Sequence, residues 1–145
     1  MRILDTDVCV EILRGNQSVV ERRRGVVDRV VTTWVTAAEL YYGAAKSRAP
    51  AISGRAVAEY LATLDVRGLS TESARCFGLL KARLESEGRR LADADLLIAS
   101  ITLVEGAILV TGNLRHYARI PGLRVEDWIR GPRDFEVNEP VTPYG

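Results

Sequence analysis

"ADADLLIASITLVEGAILVTGN" (residues 92–113) is the stretch on which the fold turns. Residues 93–106, "DADLLIASITLVEG", are apolar on nearly every face, and a helix apolar all round packs inside a protein. "AILVTG" (107–112) follows as a short apolar run of strand type. A buried helix feeding directly into a short strand argues for helices packed on a sheet.

The same alternation runs outward in both directions. "RIL" (2–4) reads as a strand, and "DTDVCVEILRG" (5–15) as a helix stopped by Gly15. "QSVVERRRG" (17–25) reads as a second short helix. "RVVTTW" (29–34) is β-branched and reads as a strand. "TAAELYYGAAKS" (36–47) and "AISGRAVAEYLATL" (51–64) read as helices. "DVRGLS" (65–70) is a short strand or loop, and "TESARCFGLLKARLESEG" (71–88) an amphipathic helix ending at Gly88. "LRVEDW" (123–128) reads as a last, edge strand. The expected fold is therefore α/β: one domain over residues 1–130, with a central, mostly parallel sheet flanked by helices on both faces. Residues 131–145 hold three of the five prolines, so an extended or frayed tail is expected there.

Composition fits one soluble domain: 145 residues, 47% hydrophobic. Twenty basic and nineteen acidic residues leave a net charge of +1, so bulk charge does not announce a nucleic-acid partner. Cys9 and Cys76 lie far apart in helical stretches and read as reduced core thiols. No signal-peptide pattern opens the chain and no apolar run reaches about 18 residues, so no membrane partner is expected and the compartment is expected to be the cytoplasm.

The acids fall at particular places on this map. Asp5 follows the first strand. Glu39 lies in the first turn of the helix after "RVVTTW". Asp95 lies in the first turn of the central helix, and Asn113 follows "AILVTG". In a parallel sheet these junctions share one edge, and ligands bind beyond the carboxyl ends of the strands. Clustered carboxylates with no lysine partner attract a divalent cation. All the donors are oxygens, which suits Mg²⁺ or Mn²⁺ and not zinc. The lone His116 cannot build a zinc site. The chemistry such a site suits is metal-assisted attack of water on a phosphodiester.

Each acid also has a structural reading. Asp5 or Asp7 fits a cap for the first helix. Thr36-Ala-Ala-Glu39 matches a capping box. Asp93 fits an N-cap and Asp95 a first-turn acid favoured by the helix dipole. On the residues alone, separate caps and a shared metal site both remain open. The run "ERRRG" (21–25) is a solvated helix face or a backbone-contacting patch. Arg89, Arg90, Arg115 and Arg119 lie near the acids in sequence, and arginine suits phosphate. Trp34, Tyr41 and Tyr42 have the chemistry to stack on bases, although helix aromatics more often serve cores or subunit contacts. No P-loop, GxGxxG or nucleophile elbow is present.

Four stretches in series, "RILDTDVCVEILRG", "VTAAELYYGA", "ADADLLIASI" and "LVTGNLRHYARIPGLRVEDW", resemble the PIN-domain ribonucleases, and in particular the toxin subunits of VapBC-type toxin–antitoxin systems. The resemblance spans nearly the whole chain. It implies a metal-dependent endoribonuclease acting on RNA, often structured RNA such as tRNA, with a cognate antitoxin and a homodimeric state. It carries the catalytic positions over to Asp5, Glu39, Asp95 and Asn113, with Asp5, Asp95 and Glu39 as the metal-binding set. Asn113 stands where some members have Asp, so a one-metal site is the safer expectation. Asp7, Asp93, Thr111 and His116 are candidates for the shell behind them, with Asp93 as the helix cap. Two other readings compete. "ILDTDVCV" also resembles the D-x-D motif of haloacid-dehalogenase-type phosphatases, with Asp5 as nucleophile and Asp7 as general acid. A PIN-like binding module with a degenerate pocket is the other.

Overall fold

The computed structural model describes residues 1–130. The expected tail, 131–145, lies outside the described residues.

Strands β1 (Arg2–Leu4), β2 (Val30–Thr33), β3 (Asp65–Arg67), β4 (Ile108–Val110) and β5 (Arg124–Glu126) form one sheet in the order β3-β2-β1-β4-β5. Every pairing is parallel, with Ile3 opposite Val31, Leu4 opposite Val110, and Val110 opposite Glu126. β5 is an edge strand, as expected, and residues 65–67 are a strand, the other edge, and not a loop. The helices are α1 (Thr6–Leu13), α2 (Gln17–Gly25), α3 (Trp34–Ala45), α4 (Pro50–Leu61), α5 (Thr71–Ser86), α6 (Asp93–Val104) and α7 (Leu114–Tyr117). Gly15 and Gly88, read as helix stops, adopt the left-handed backbone that glycine enters without a Cβ penalty (φ +76° and +69°).

Side chains alternate across each strand, so one short apolar run supplies both layers of core. Ile3, Val31, Leu109 and Val125 face α5, α6 and α7, packing with Leu80, Leu96, Ile98, Tyr117 and Ile120. Leu4, Val30 and Val110 face the other way, against Val8 and Cys9 of α1, Val19 of α2, and Leu40 of α3, with Trp128 closing that layer. This is why the strands read as continuous hydrophobic runs: both faces of a parallel sheet are covered. Cys9 is buried, but Cys76 is only half-buried, so it is not the core thiol expected; both are free. Among the described residues no helix is long and apolar enough to cross a membrane.

Two helix starts differ from expectation. Residue 34 belongs to α3, not to the strand, because the Thr33 hydroxyl accepts the amide of Thr36 at 3.1 Å and caps the helix three residues early. The Thr36–Glu39 capping box therefore does not form, and Glu39 sits in the second turn. Asp93 is not the cap of α6: Ala92 holds that position, and Asp93 is the first helical residue.

The order of strands matters more for function than their number. β1 connects toward β2 on one side, while β4 lies on its other side. The carboxyl ends of β1 and β4 are thus a topological switch point, where the loops diverge and leave a crevice. α6 runs into β4 through a turn at Gly106, so it is antiparallel to that strand and begins at the same edge.

Leu109 lies at the middle of this arrangement with no exposed surface. Leu109→Ala is expected to cost about 2–5 kcal/mol, read as a lower urea midpoint with little change in slope.

Candidate active site

Asp5 is the first residue beyond β1 and the N-cap of α1. Its Oδ1 accepts the Thr6 amide at 2.8 Å, and its Oδ2 accepts the Thr111 hydroxyl, just beyond β4, at 2.9 Å. The Thr111 hydroxyl in turn accepts the Asn113 amide at 3.0 Å. Asp7 makes a parallel bridge. Its Oδ1 accepts the Val8 amide at 2.8 Å and its Oδ2 accepts the Gly112 amide at 2.9 Å. The two aspartates of "DTD" therefore lace the β1 and β4 ends together across the switch point. Gly112 is required for this approach. A Cβ there would stand 3.0 Å from Asp7 Oδ2 and 2.7 Å from Ile129 Cδ1.

Asp95 reaches the same edge from α6. Its Oδ1 accepts the Tyr117 hydroxyl at 3.3 Å, and its Oδ2 lies 2.9 Å from His116 Nε2. Tyr117 is almost fully buried, and burial together with the charges of Asp5 and Asp95 pushes its hydroxyl far above the ordinary phenol range. Asp95 holds that hydroxyl directly, and the charge of Asp5 is near enough to act on it. Burial also pushes Asp5 up, to about 7; the charge of Asp7 adds to this and Asp95 adds less, against the Thr6 and Thr111 hydrogen bonds. Asp7 is raised by burial and by Asp127, with the Gly112 and Val8 amides opposing.

Glu39 is held next to this pair. Its Oε1 accepts the Thr6 hydroxyl at 2.7 Å, and that hydroxyl lies 3.1 Å from Thr36 Oγ1. Asn113 is exposed, beyond β4 at the start of α7. Asp93 points elsewhere: its Oδ1 lies 2.9 Å from Lys81 Nζ on α5. Helical rotation explains the separation, since residues two apart on a helix face nearly opposite sides. Among the described residues, no three His, Cys, Asp or Glu side chains already stand as a metal cage. Two residues of this edge were missed in the sequence. Tyr117 carried no charge to draw notice. Asp127 is fully buried beyond β5, where its Oδ1 accepts the Ile129 amide at 2.8 Å. Its signal was available: it is another acid straight after a strand.

The D-x-D phosphatase reading needs Asp7 as a mobile general acid. Both its oxygens are instead engaged by backbone amides. The parallel sheet with an acidic carboxyl edge is that of a PIN domain, and the PIN domain family model matches residues 2–123. The chain is 31% identical to "Ribonuclease VapC2" of Haemophilus influenzae, over 88% of this chain and 97% of that one. It is 33% identical to "tRNA(fMet)-specific endonuclease VapC" of Salmonella typhimurium, over 87% and 96%. Among solved structures, DNA-bound VapBC from Salmonella typhimurium superposes with a TM-score of 0.82 at 34% identity, covering 88% of this chain and 97% of that chain. VapBC2 from Rickettsia felis, bound to a DNA fragment from its promoter, gives 0.82 at 29%, covering 88% and 98%. The chain belongs to the PIN-domain family and, within it, to the VapC ribonucleases of toxin–antitoxin systems.

The raised Asp5 fixes a sign. Its folded pKa of about 7 lies above the ordinary 3.8, so the folded state holds the extra proton. Stability from this group is fully present below the unfolded pKa and is lost as pH rises through the folded one. In chelator-treated protein, Asp5→Asn should melt higher than wild type above pH 7, and the gain should vanish in acid. Calorimetry across that range checks it; a lower melting temperature at alkaline pH would mean that the Asp5 charge is not a net cost.

Proposed function

We propose that the chain is the toxin of a VapBC-type pair and cleaves RNA at the β1–β4 edge by metal-dependent hydrolysis. The observation that carries this reading is that Asp5 and Asp95, ninety residues apart, lie close enough at one sheet edge for each charge to be felt there, with the Tyr117 hydroxyl held by Asp95 beside them. The residues fit a hard divalent cation. Their donors are all carboxylate, carbonyl or hydroxyl oxygens, and burial, with the charge of Asp7 added, lifts Asp5. Asp5 and Asp95 would hold Mg²⁺ or Mn²⁺, with Glu39 completing the set directly or through water. The cation supplies a Lewis acid that polarises the phosphate and makes water a better nucleophile.

The chain's own groups do the rest. Thr6 and Thr111 fix both oxygens of Asp5, so that the carboxylate is oriented before substrate arrives. Asp7 pins the Gly112 amide and with it the loop that presents Asn113. Asn113, neutral and exposed, orients water or a phosphate oxygen without adding charge. His116 and Tyr117 keep Asp95 turned to the edge.

The substrate class follows from the family and is RNA, with structured RNA such as tRNA as the specific expectation; the Salmonella relative is named for tRNA(fMet). The partner is a cognate antitoxin, since the relatives' solved structures are toxin–antitoxin complexes. A homodimer acting in the cytoplasm completes the reading.

Asp5→Asn and Asp95→Asn should each lower RNA cleavage roughly 100- to 1,000-fold while the fold, read by circular dichroism, is kept. Asp93→Asn should retain most activity, because Asp93 pairs with Lys81. Full cleavage by a folded Asp95→Asn variant would remove the mechanism. Independently, EDTA should stop cleavage and added Mg²⁺ or Mn²⁺ restore it; activity that survives exhaustive chelation would rule out the metal.

A further inference from the structure

Trp34 is 59% exposed. An indole left this far in water is an unfilled contact, since Trp side chains dominate binding energy wherever they are covered. Its place is specific. It is the first residue of α3, immediately beyond β2, at the carboxyl edge of the sheet. The ring rests beside Gly68 in the loop after β3, where a Cβ would lie 3.5 Å from Trp34 Cδ1. Two residues further along α3, the Thr36 hydroxyl is 3.1 Å from that of Thr6, the neighbour of Asp5. The indole thus stands at the carboxyl edge of the sheet on its β3 side, while Thr36, on the opposite face of α3, turns toward Thr6.

The other exposed aromatics of α3 differ. The Tyr42 ring already has a cation over one face, Lys46 Nζ at 4.6 Å from its centroid. Tyr41 lies about two turns further from the edge. Among the described residues, no ring or cation stacks on Trp34.

We propose that Trp34 is a substrate-positioning residue, whose indole stacks on an unpaired base of the RNA where the strand crosses the carboxyl edge beside the acidic site. The inference rests on the reading of this edge as the RNA-cleaving site. Stacking needs a base out of its helix, because in duplex RNA the π-faces are occupied by neighbouring pairs. It is tolerant of base identity, because every base has a π-face. Trp34 would therefore select loops and single-stranded segments over duplex, and would leave the choice of sequence to other contacts. The competing occupant of an exposed indole is protein, either a second copy of this chain or an antitoxin.

The two tryptophans make the test direct. Trp128 is 1% exposed and Trp34 is not, so a change in emission on adding RNA reports Trp34. In the cleavage-silenced Asp95→Asn chain, a short single-stranded RNA should quench the emission and the matching duplex should not. Trp34→Ala should abolish the quench. With the wild-type catalytic residues, Trp34→Ala should raise KM about 10- to 100-fold and change kcat little. Trp34→Phe, which keeps a ring, should recover most of the loss. Gel filtration should show the same species for wild type and Trp34→Ala. An unchanged KM in Trp34→Ala, or a shift to a smaller species, would overturn the proposal; the latter would assign the indole to a protein contact. Quenching by RNA in a wild-type chain that cleaves nothing would keep the stacking role and remove the nuclease reading, so the two fail separately.

Discussion

Carboxylates gathered at one sheet edge repel one another, and much of the local structure exists to hold them in place. Asp95 takes the Tyr117 hydroxyl; Asp5 and Asp7 each take two hydrogen bonds, three of these four from backbone amides. Burial raises the energy of each charge, and proximity raises it again. The fold tolerates this because the layers on either side of the sheet are apolar and closely packed. A divalent cation would relieve the same strain, so the arrangement that weakens the protein is also one whose oxygens suit a metal. Stability and function pull in opposite directions at Asp5, as active sites often require.

Much of the architecture was legible because a parallel sheet covered on both faces leaves a plain record. Ile3 and Leu4, or Leu109 and Val110, point to opposite layers and both must be apolar. The buried helix 93–104 and the strand after it were readable for the same reason. Asp5 and Asp95 were legible because acids straight after a strand, or in the first turn of a buried helix, stand out against that record. Errors came where two local rules compete. Thr33 and Thr36 are both good caps, and only the end of β2 pairing decides in favour of Thr33. Asp93 looks like a cap, but Lys81, twelve residues earlier on α5, offers an ion pair that no local pattern reveals. Tyr117 could not be found from charge at all. Its role comes from a tertiary coincidence between α7, β1 and α6.

Capping and catalysis are usually weighed as rival explanations of an acid at a helix start. In this chain one residue fits both, on the proposed reading of the site. Asp5 is the N-cap of α1 and also one of the carboxylates gathered at the edge. The reason is geometric. In a parallel α/β fold, every strand that feeds a helix delivers its carboxyl end to that helix's N-terminus, so caps and ligand sites share an edge. The N-termini of α1, α3 and α6 all lie there, and each carries partial positive charge from its unpaired amides. Those dipoles offset part of the repulsion among the acids without neutralising them. They also favour any further anion that approaches, including a phosphate. The edge is therefore prepared for a polyanion by backbone geometry before any arginine is considered. On the proposed reading, a chain with a net charge of +1 and no basic tail takes RNA because the attraction is supplied locally, by helix ends and the cation the acids would hold, and not by the charge of the whole molecule.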